Sequence, residues 1–550
     1  MSFSLQNDLI SSTVIASDAF HILWPATSAA LLAILCGTMA YAIFSDKSEK
    51  ISSFTFVVLS ALVILICRLP SLFYGESSPD ESQWLASVIG LRADFYYYFK
   101  NFYIYDFGRA LTIAPLLALS SSGLAVDFGL AKLTGVMCWF VFIIFYFLSI
   151  RDIFGKRAAI ISTSVLVAYL ATFSAPDYIA YNSETPVAAL LCVFFFCFNR
   201  STFENSNKAL GLLSGLMLAA LLFAKEQSAY IVFVCGLYAV TTYLAGKHYA
   251  KAILFVSGGF VCVLVFFAPF ILFHKTDEFL FWVYLNHVYM NFAFGQGLGT
   301  KIFFLFVKNN AAYFLLPVIS IAMILFFRNQ REALISCIKN NRVPGLMVLM
   351  LYLASLYTAL SQGFMYIHYS IFLVLPAAYL LAFAVAALSA KETKRILAFY
   401  GIVLFLSLAL FGLSKQIGDY DHKREAGKFP PHQSELSRVV SLYAKPGDGM
   451  IVWGWNCKLF VETGLVRASR YWYTTFLRPS APENLKSRII QQYEQDIIAY
   501  KPRVIVEYIK GGLIVFTTIK DHPTINRLVE KNYNLVYDTD EARIYVLKDK

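Results

Sequence analysis

The sequence predicts a polytopic, all-α membrane protein of about 12 transmembrane helices, followed by a small soluble α/β domain. Three observations carry this. Of the 550 residues, 58% are hydrophobic and only 15% charged, with a mean hydropathy of +0.61, against about 25% charged in an average soluble domain. The charge is also unevenly spread, about 11% over residues 1–414 and about 27% over residues 415–550. Finally, apolar runs long enough to cross a bilayer, about 20 residues, recur through the first part and stop near Ser414. The 50 Phe and 34 Tyr exceed what one water-soluble core needs. Disordered, collagen-like and small disulfide-scaffold readings are excluded.

The expected spans lie near 21–44, 53–72, 127–150, 158–175, 186–198, 209–224, 229–245, 252–273, 302–327, 343–361, 370–389 and 396–414. The stretch 108–122 reads as a further span or a half-buried helix. Lys and Arg collect in the connections 45–52, 151–157, 200–208, 246–251, 328–342 and 391–395. With twelve spans these fall on one side, which the positive-inside rule makes cytoplasmic. The opposite side then receives 73–126, 176–185, 225–228, 274–301, 362–369 and the tail, where the polar, motif-like segments lie. The net charge of +11 therefore reports orientation rather than a nucleic-acid partner.

The chain divides into a membrane part, 1–414, with an outer loop at 73–126, and a tail, 415–550. In the tail, Met450–Trp455, Val504–Tyr508 and Ala542–Leu547 read as strands, and Pro482–Tyr500 and Pro523–Asn532 as helices. Seven of nine cysteines sit in apolar runs and behave as small hydrophobes. Cys337 lies in a polar loop and Cys457 is alone in the tail, so no disulfide framework is expected. The N-terminus lacks the basic region of a signal peptide.

Five places could carry chemistry. Pro79-Asp80-Glu81-Ser82-Gln83 sets adjacent carboxylates just beyond the second span; it also reads as a helix start, with Asp80 as cap and Gln83 completing a capping box. The run Phe95–Phe107, which includes Tyr97, suits an aromatic anchor at the headgroup level. Glu184 stands in the first turn of a span that Asn182 or Ser183 caps, where it also suits the helix dipole. Lys225-Glu226 sits between two short spans, as a snorkelling interface pair or with Lys225 as a phosphate ligand. Arg68 lies inside the second span near its outer end, and an ionisable residue there is a functional candidate alongside snorkelling. His368 and His287 have no second ligand at metal-like spacing, so no metal site is read from them. GxGxxG, Walker A and GxSxG motifs are absent, which removes ATP-driven and α/β-hydrolase readings.

Taken in order, these blocks resemble the membrane-embedded GT-C glycosyltransferases. The nearest group is the bacterial family 39-like enzymes, relatives of dolichyl-phosphate-mannose protein mannosyltransferases and lipid A aminoarabinose transferases. The likeness rests on Pro79–Gln83, on Asp106–Leu116 as a degenerate Gly/Thr-rich loop, and on Asn182-Ser183-Glu184. Phe223–Gln227, His368-Tyr369 and Ile451–Trp455 complete it. The first span, 21–44, is an addition to the usual pattern, and Arg109-Ala110 stand where small polar residues are more usual.

The resemblance implies transfer of a sugar from a polyprenyl-phosphate donor to a glycan, lipid or protein acceptor, at the periplasmic face of a bacterial inner membrane. It makes Asp80 the catalytic base, with Glu81 beside it. Arg68, Lys225 and Arg109 become candidates for the donor phosphate, Tyr97 for its lipid, and Glu184, Glu226 and His368 for orienting hydroxyls. An inverting transfer of this kind needs a base for the acceptor hydroxyl and cations for the leaving phosphate. No nucleotide sugar and no obligatory metal are expected, with a divalent ion between Asp80 and Glu184 as an open alternative. Two rivals are a transporter or flippase and an O-antigen ligase or polymerase using a diphosphate-linked donor. The first should show an internal repeat and helices broken near the midplane; neither is seen. Ligases usually depend on a large basic outer loop, whereas 274–301 is mostly aromatic.

Overall fold

A computed structural model describes residues 12–45, 48–102, 106, 109–202, 207–283, 336, 339–361, 366–389, 394–426, 433–477, 481–509 and 517–549. Among the described residues, nine helices are long and apolar enough to cross a membrane: Asp18–Phe44, Ser53–Phe73, Phe128–Phe154, Glu184–Thr202, Glu226–Ala245, Tyr249–Leu272, Arg342–Leu360, Ile367–Leu388 and Tyr400–Glu425. The chain is a multi-pass membrane protein. Of the other expected spans, 158–175 forms the shorter helix Lys156–Thr172, and 209–224 forms the apolar stretch Ala209–Phe223. The expected span 302–327, most of the loop 274–301 and His287 lie outside the described residues. The ambiguous stretch 108–122 is a twelve-residue helix, Ala110–Ser121.

Local chemistry sets where these helices begin. Ser52 accepts from Thr55 N at 3.3 Å, Asp127 from Leu130 N at 2.9 Å and Asp94 from Tyr97 N at 2.9 Å, each satisfying a donor that a helix start leaves free. Pro79 opens the Pro79–Ala93 helix at a position that needs no N–H. The short helix Ala209–Ala220 is held by close approach to Tyr249–Leu272. A Cβ on Gly215 would fall 1.8 Å from Phe255 O, and one on Gly258 2.1 Å from Leu212 O. Glycine is therefore required at both, as expected where packing rather than hydrophobic exclusion joins helices in lipid.

The tail carries a five-stranded mixed sheet of order β2-β1-β3-β5-β4: β1 Gly449–Trp453, β2 Val466–Arg467, β3 Val504–Tyr508, β4 Tyr533–Asp538 and β5 Ala542–Leu547. Strand β1 pairs parallel with β2 and β3, and β5 runs antiparallel between β3 and β4. Helices Glu483–Tyr500 and Pro523–Asn532 accompany it. Strands β2 and β4 were not expected; β2 is only two residues long, and the irregularity between Leu535 and Tyr537 breaks the apolar–polar alternation of β4. The sheet packs on the loop that follows the second span. Ala86 joins the core of Met450, Val452 and Trp472, and Val466 and Tyr500 pack against the cluster around Trp84 and Tyr98.

Candidate active site

Four chain segments bring their first residues to one end of the bundle. Asp80 lies in the first turn of the Pro79–Ala93 helix, Glu184 opens a span, Lys225 precedes and Glu226 opens another, and His368 lies in the first turn of a fourth. Ligand atoms of Asp80, Glu184 and His368 all lie within 4.8 Å of one another. Glu184 is fully buried and His368 is 6% exposed, while Asp80 is half-buried.

Cations stand beside these acids. Lys225 Nζ is 2.8 Å from Glu184 Oε1 and 5.5 Å from the centre of the Tyr369 ring. The Arg109 guanidinium donates from Nη2 to Glu226 Oε1 at 2.8 Å and from Nη1 to Ser183 Oγ at 3.2 Å, and lies over the Trp84 ring. His368 Nδ1 is 3.4 Å from Asp177 Oδ1. Burial alone would lower the Arg109 pKa, but Glu226, Asp80 and Glu184 more than offset it, and the net shift is upward. Charges drawn into a low-dielectric site persist only when paired in this way. Thr112 Oγ1 donates to Ala224 O at 2.9 Å and Tyr181 donates to Thr112 O at 2.8 Å. These bonds tie the 109–116 segment to the segments carrying Lys225 and Glu184.

Three sequence candidates lie elsewhere. Glu81, next to Asp80 in sequence, is fully buried and turns inward. Its Oε2 accepts from Ser77 N at 2.8 Å and Lys132 Nζ at 3.3 Å, and its Oε1 from Tyr181 N at 3.1 Å. It joins three segments rather than facing the cluster. Arg68 is also buried, and donates to Leu170 O at 2.8 Å and Tyr178 O at 2.7 Å. It clamps the backbone beside Asp177 instead of presenting its charge to the cluster. Tyr97 is 44% exposed and meets Tyr500 edge-on.

Asp177 is a member that the residue reading had not singled out. It opens the polar stretch 177–186 that leads to Glu184, and its backbone carbonyl accepts from Asn182 Nδ2 at 2.6 Å. The tail also reaches the cluster. Tyr473 lies in the electrostatic reach of Arg109, Asp80 and Glu226, which no local pattern announces.

Two carboxylates and an imidazole are a donor set that suits zinc or manganese. An ion held by Asp80, Glu184 and His368 would share Glu184 with the Lys225 ammonium, which already supplies a positive charge there.

No family model matches the chain, and no curated protein sequence matches it. Solved structures do. ArnT from Cupriavidus metallidurans bound to undecaprenyl phosphate aligns over 90% of this chain and 98% of its own, at 13% identity and a TM-score of 0.51. The fold is that of the GT-C membrane glycosyltransferases. The apo state of the same ArnT aligns over the same shares at 12% identity and a TM-score of 0.49. The archaeal oligosaccharyltransferase AglB from Archaeoglobus fulgidus, in complex with an inhibitory peptide and a dolichol-phosphate, aligns over 91% of this chain and 74% of its own, at 9% identity and 0.49. Within the GT-C fold, the acidic cluster here stands after the second apolar helix, because Asp18–Phe44 precedes it.

Proposed function

We propose that this chain is an integral membrane glycosyltransferase that moves a sugar from a polyprenyl-phosphate-linked donor to a glycan, lipid or protein acceptor, with inversion. The observation that carries the reading is the meeting of Asp80, Glu184 and His368 within 4.8 Å, with Lys225 paired to Glu184 and Arg109 bonded to the adjacent Ser183 and to Glu226. A base and a phosphate-binding cation at adjacent ends of different spans are what this reaction needs. An undecaprenyl phosphate lipid is bound in the ArnT structure, and the shared fold supports a lipid-linked donor here.

Asp80, half-buried and water-accessible, takes the proton from the acceptor hydroxyl. The acceptor oxygen forms its bond to C1 as the C1–O bond to phosphate breaks, and the departing lipid phosphate keeps the electron pair. The ring passes through an oxocarbenium-like state. Arg109, still 18% exposed in its side chain and held by the more accessible Glu226, is the first choice for the phosphate. Lys225, buried against Glu184, adds positive potential behind it. Glu226 Oε2, without a hydrogen-bond partner among the described residues, is available to a sugar hydroxyl. We assign Arg68 and Glu81 to holding the site's backbone.

The Lys and Arg concentrated by sequence in the connections 45–52, 151–157, 200–208, 246–251, 328–342 and 391–395 support a cytoplasmic side for them, and we infer that the site and the 415–550 domain face the opposite, extracytoplasmic side of a plasma membrane. The test is transfer from a radiolabelled polyprenyl-phosphate sugar in membranes carrying the full chain. Asp80→Asn should insert and fold but not transfer. Full activity in that variant overturns the assignment of Asp80 as base.

The Asp80, Glu184 and His368 donor set favours one second reading, in which these residues hold a divalent ion that would supply Lewis-acid stabilisation of the leaving phosphate. Chelation separates the two.

A further inference from the structure

A short segment of the tail lies in the electrostatic reach of the acidic cluster, and that segment is pinned at its root. Asp106, buried in the outer loop, accepts from Arg467 Nη1 at 2.9 Å, Trp472 Nε1 at 2.7 Å and Ser87 Oγ at 2.6 Å. Arg467 also lies 3.7 Å over the Trp472 ring. The residue after this anchor is Tyr473, whose ring packs on Trp455 with centroids 4.7 Å apart and 31° between planes. Trp455 reaches it because the chain turns just after β1 at Gly454, whose φ of +123° is open only to glycine. A Cβ there would lie 2.8 Å from Tyr508 Cβ. Thr474 N closes the arrangement by donating to Gly454 O at 3.2 Å. Trp453, by contrast, spends its indole N–H on Thr517 O at 3.0 Å.

Polar atoms around this segment are left without partners. Trp455 Nε1, Thr474 Oγ1 and Trp84 Nε1 are all buried atoms with no hydrogen-bond partner among the described residues. Thr474 and Trp84 are each 1% exposed. Buried donors are satisfied in native proteins, so each such atom calls for an explanation. Trp84 lies beneath Arg109, and Tyr473 shares the field of Arg109 and Asp80. Burial raises the Tyr473 pKa, so its hydroxyl stays a neutral donor.

We propose that Trp455 and Tyr473 of the C-terminal domain form a subsite for the pyranose or furanose ring of the donor, with the unpartnered Trp455 indole N–H and the neighbouring Thr474 hydroxyl taking ring hydroxyls. The inference rests on the glycosyltransferase reading and deepens it. Aromatic faces attract the weakly positive C–H faces of a sugar, and a few polar groups in an apolar wall orient it. The donor ring is the occupant because its C1 must lie between the phosphate held by Arg109 and the hydroxyl activated by Asp80. Tyr473 lies within the electrostatic reach of both Arg109 and Asp80, and Trp455 and Tyr473 pack against the same core as Ala86 of the helix that begins at Pro79-Asp80.

The experiment uses the full chain in nanodiscs and competition against radiolabelled undecaprenyl phosphate. The competitors are bare undecaprenyl phosphate and undecaprenyl phosphate carrying a hexose or a pentose. The wild-type protein is expected to prefer a sugar-bearing lipid. Trp455→Ala and Tyr473→Ala should each erase about five- to tenfold of that preference while bare-lipid binding is unchanged. Tyr473→Phe, which keeps its ring, should retain most of it, and Trp455→Phe, which keeps a ring but loses the indole N–H, should fall between wild type and Trp455→Ala; both control for folding. An unchanged preference in the alanine variants, an equal loss for bare and sugar-bearing lipid, or no preference in the wild type overturns the subsite. Failure of the wild type to bind any of these lipids overturns the underlying glycosyltransferase reading as well.

Discussion

Arg467 and Asp106 form a fully buried ion pair at 2.9 Å, although 361 residues separate them in the chain. The carboxylate belongs to the loop after the second span and the guanidinium to β2. Arg467 also donates to Phe102 O at 2.8 Å, so one side chain fastens the tail to the loop that carries Asp80.

Removing one partner of such a pair leaves the other as an uncompensated buried charge, which costs about 3–5 kcal/mol. Asp106→Ala should lower the unfolding free energy of the purified protein by that order, with a correspondingly lower thermal unfolding midpoint. Adding Arg467→Met should recover part of the loss. If the double variant is no more stable than Asp106→Ala, the pair is not the source of the effect.

Asp80 and Glu81 should separate cleanly despite their adjacency. Asp80→Asn is expected to lose about two to four orders of magnitude in transfer rate with an unchanged unfolding midpoint, the range that a positioned base contributes. Glu81→Gln weakens the bonds to Lys132 and to two backbone amides and should show mainly as lost stability. Parallel rate and melting measurements on both variants decide this.

Lys225 faces a fully buried carboxylate. Lys225→Ala should therefore both destabilise the fold and raise the apparent KM for the lipid donor more than for the acceptor. Lys225→Ala with Glu184→Gln should melt higher than Lys225→Ala alone. A larger effect on acceptor KM would contradict a donor-side role.

Glu76 gives a pH dependence. Burial pushes its carboxyl up to about 7, with Ser82 as a hydrogen-bond donor opposing and Glu81 adding to the rise. A carboxyl whose pKa is higher folded than unfolded favours the folded state while protonated. Its contribution is complete below the unfolded value of about 4.3 and is lost as pH rises through about 7. Unfolding midpoints of the wild type should thus fall between pH 5 and 8 relative to Glu76→Gln, in which this part of the slope should vanish.

Chelation should leave transfer intact, because Lys225 already supplies a positive charge at Glu184. Loss of activity in EDTA, with recovery on adding manganese, would instead favour the ion-assisted reading of Asp80, Glu184 and His368.

Much of this architecture is local. Apolar runs of bilayer length, the caps Ser52 and Asp127, and the β-branched strands of the tail follow from side chains within a few residues of each other, so periodicity and composition expose them. The acidic and basic residues at span ends were legible for the same reason, since an unpaired charge there is costly. Pairing is a different matter. Nothing near Glu81 says that it will meet Lys132 while Asp80 meets Glu184 and His368, because successive residues on a helix diverge by about 100°. Nothing near Arg68 says that it will find carbonyls rather than a phosphate. Asp106, Arg467, Trp455 and Tyr473 acquire their roles only when the tail folds back onto the outer loop. The sequence by itself determined a membrane bundle, its polar segments and a sheet-bearing tail, since those depend on transfer energies that each segment carries alone. Only the tertiary structure decided which charges neutralise which, because that depends on distances between segments far apart in the chain.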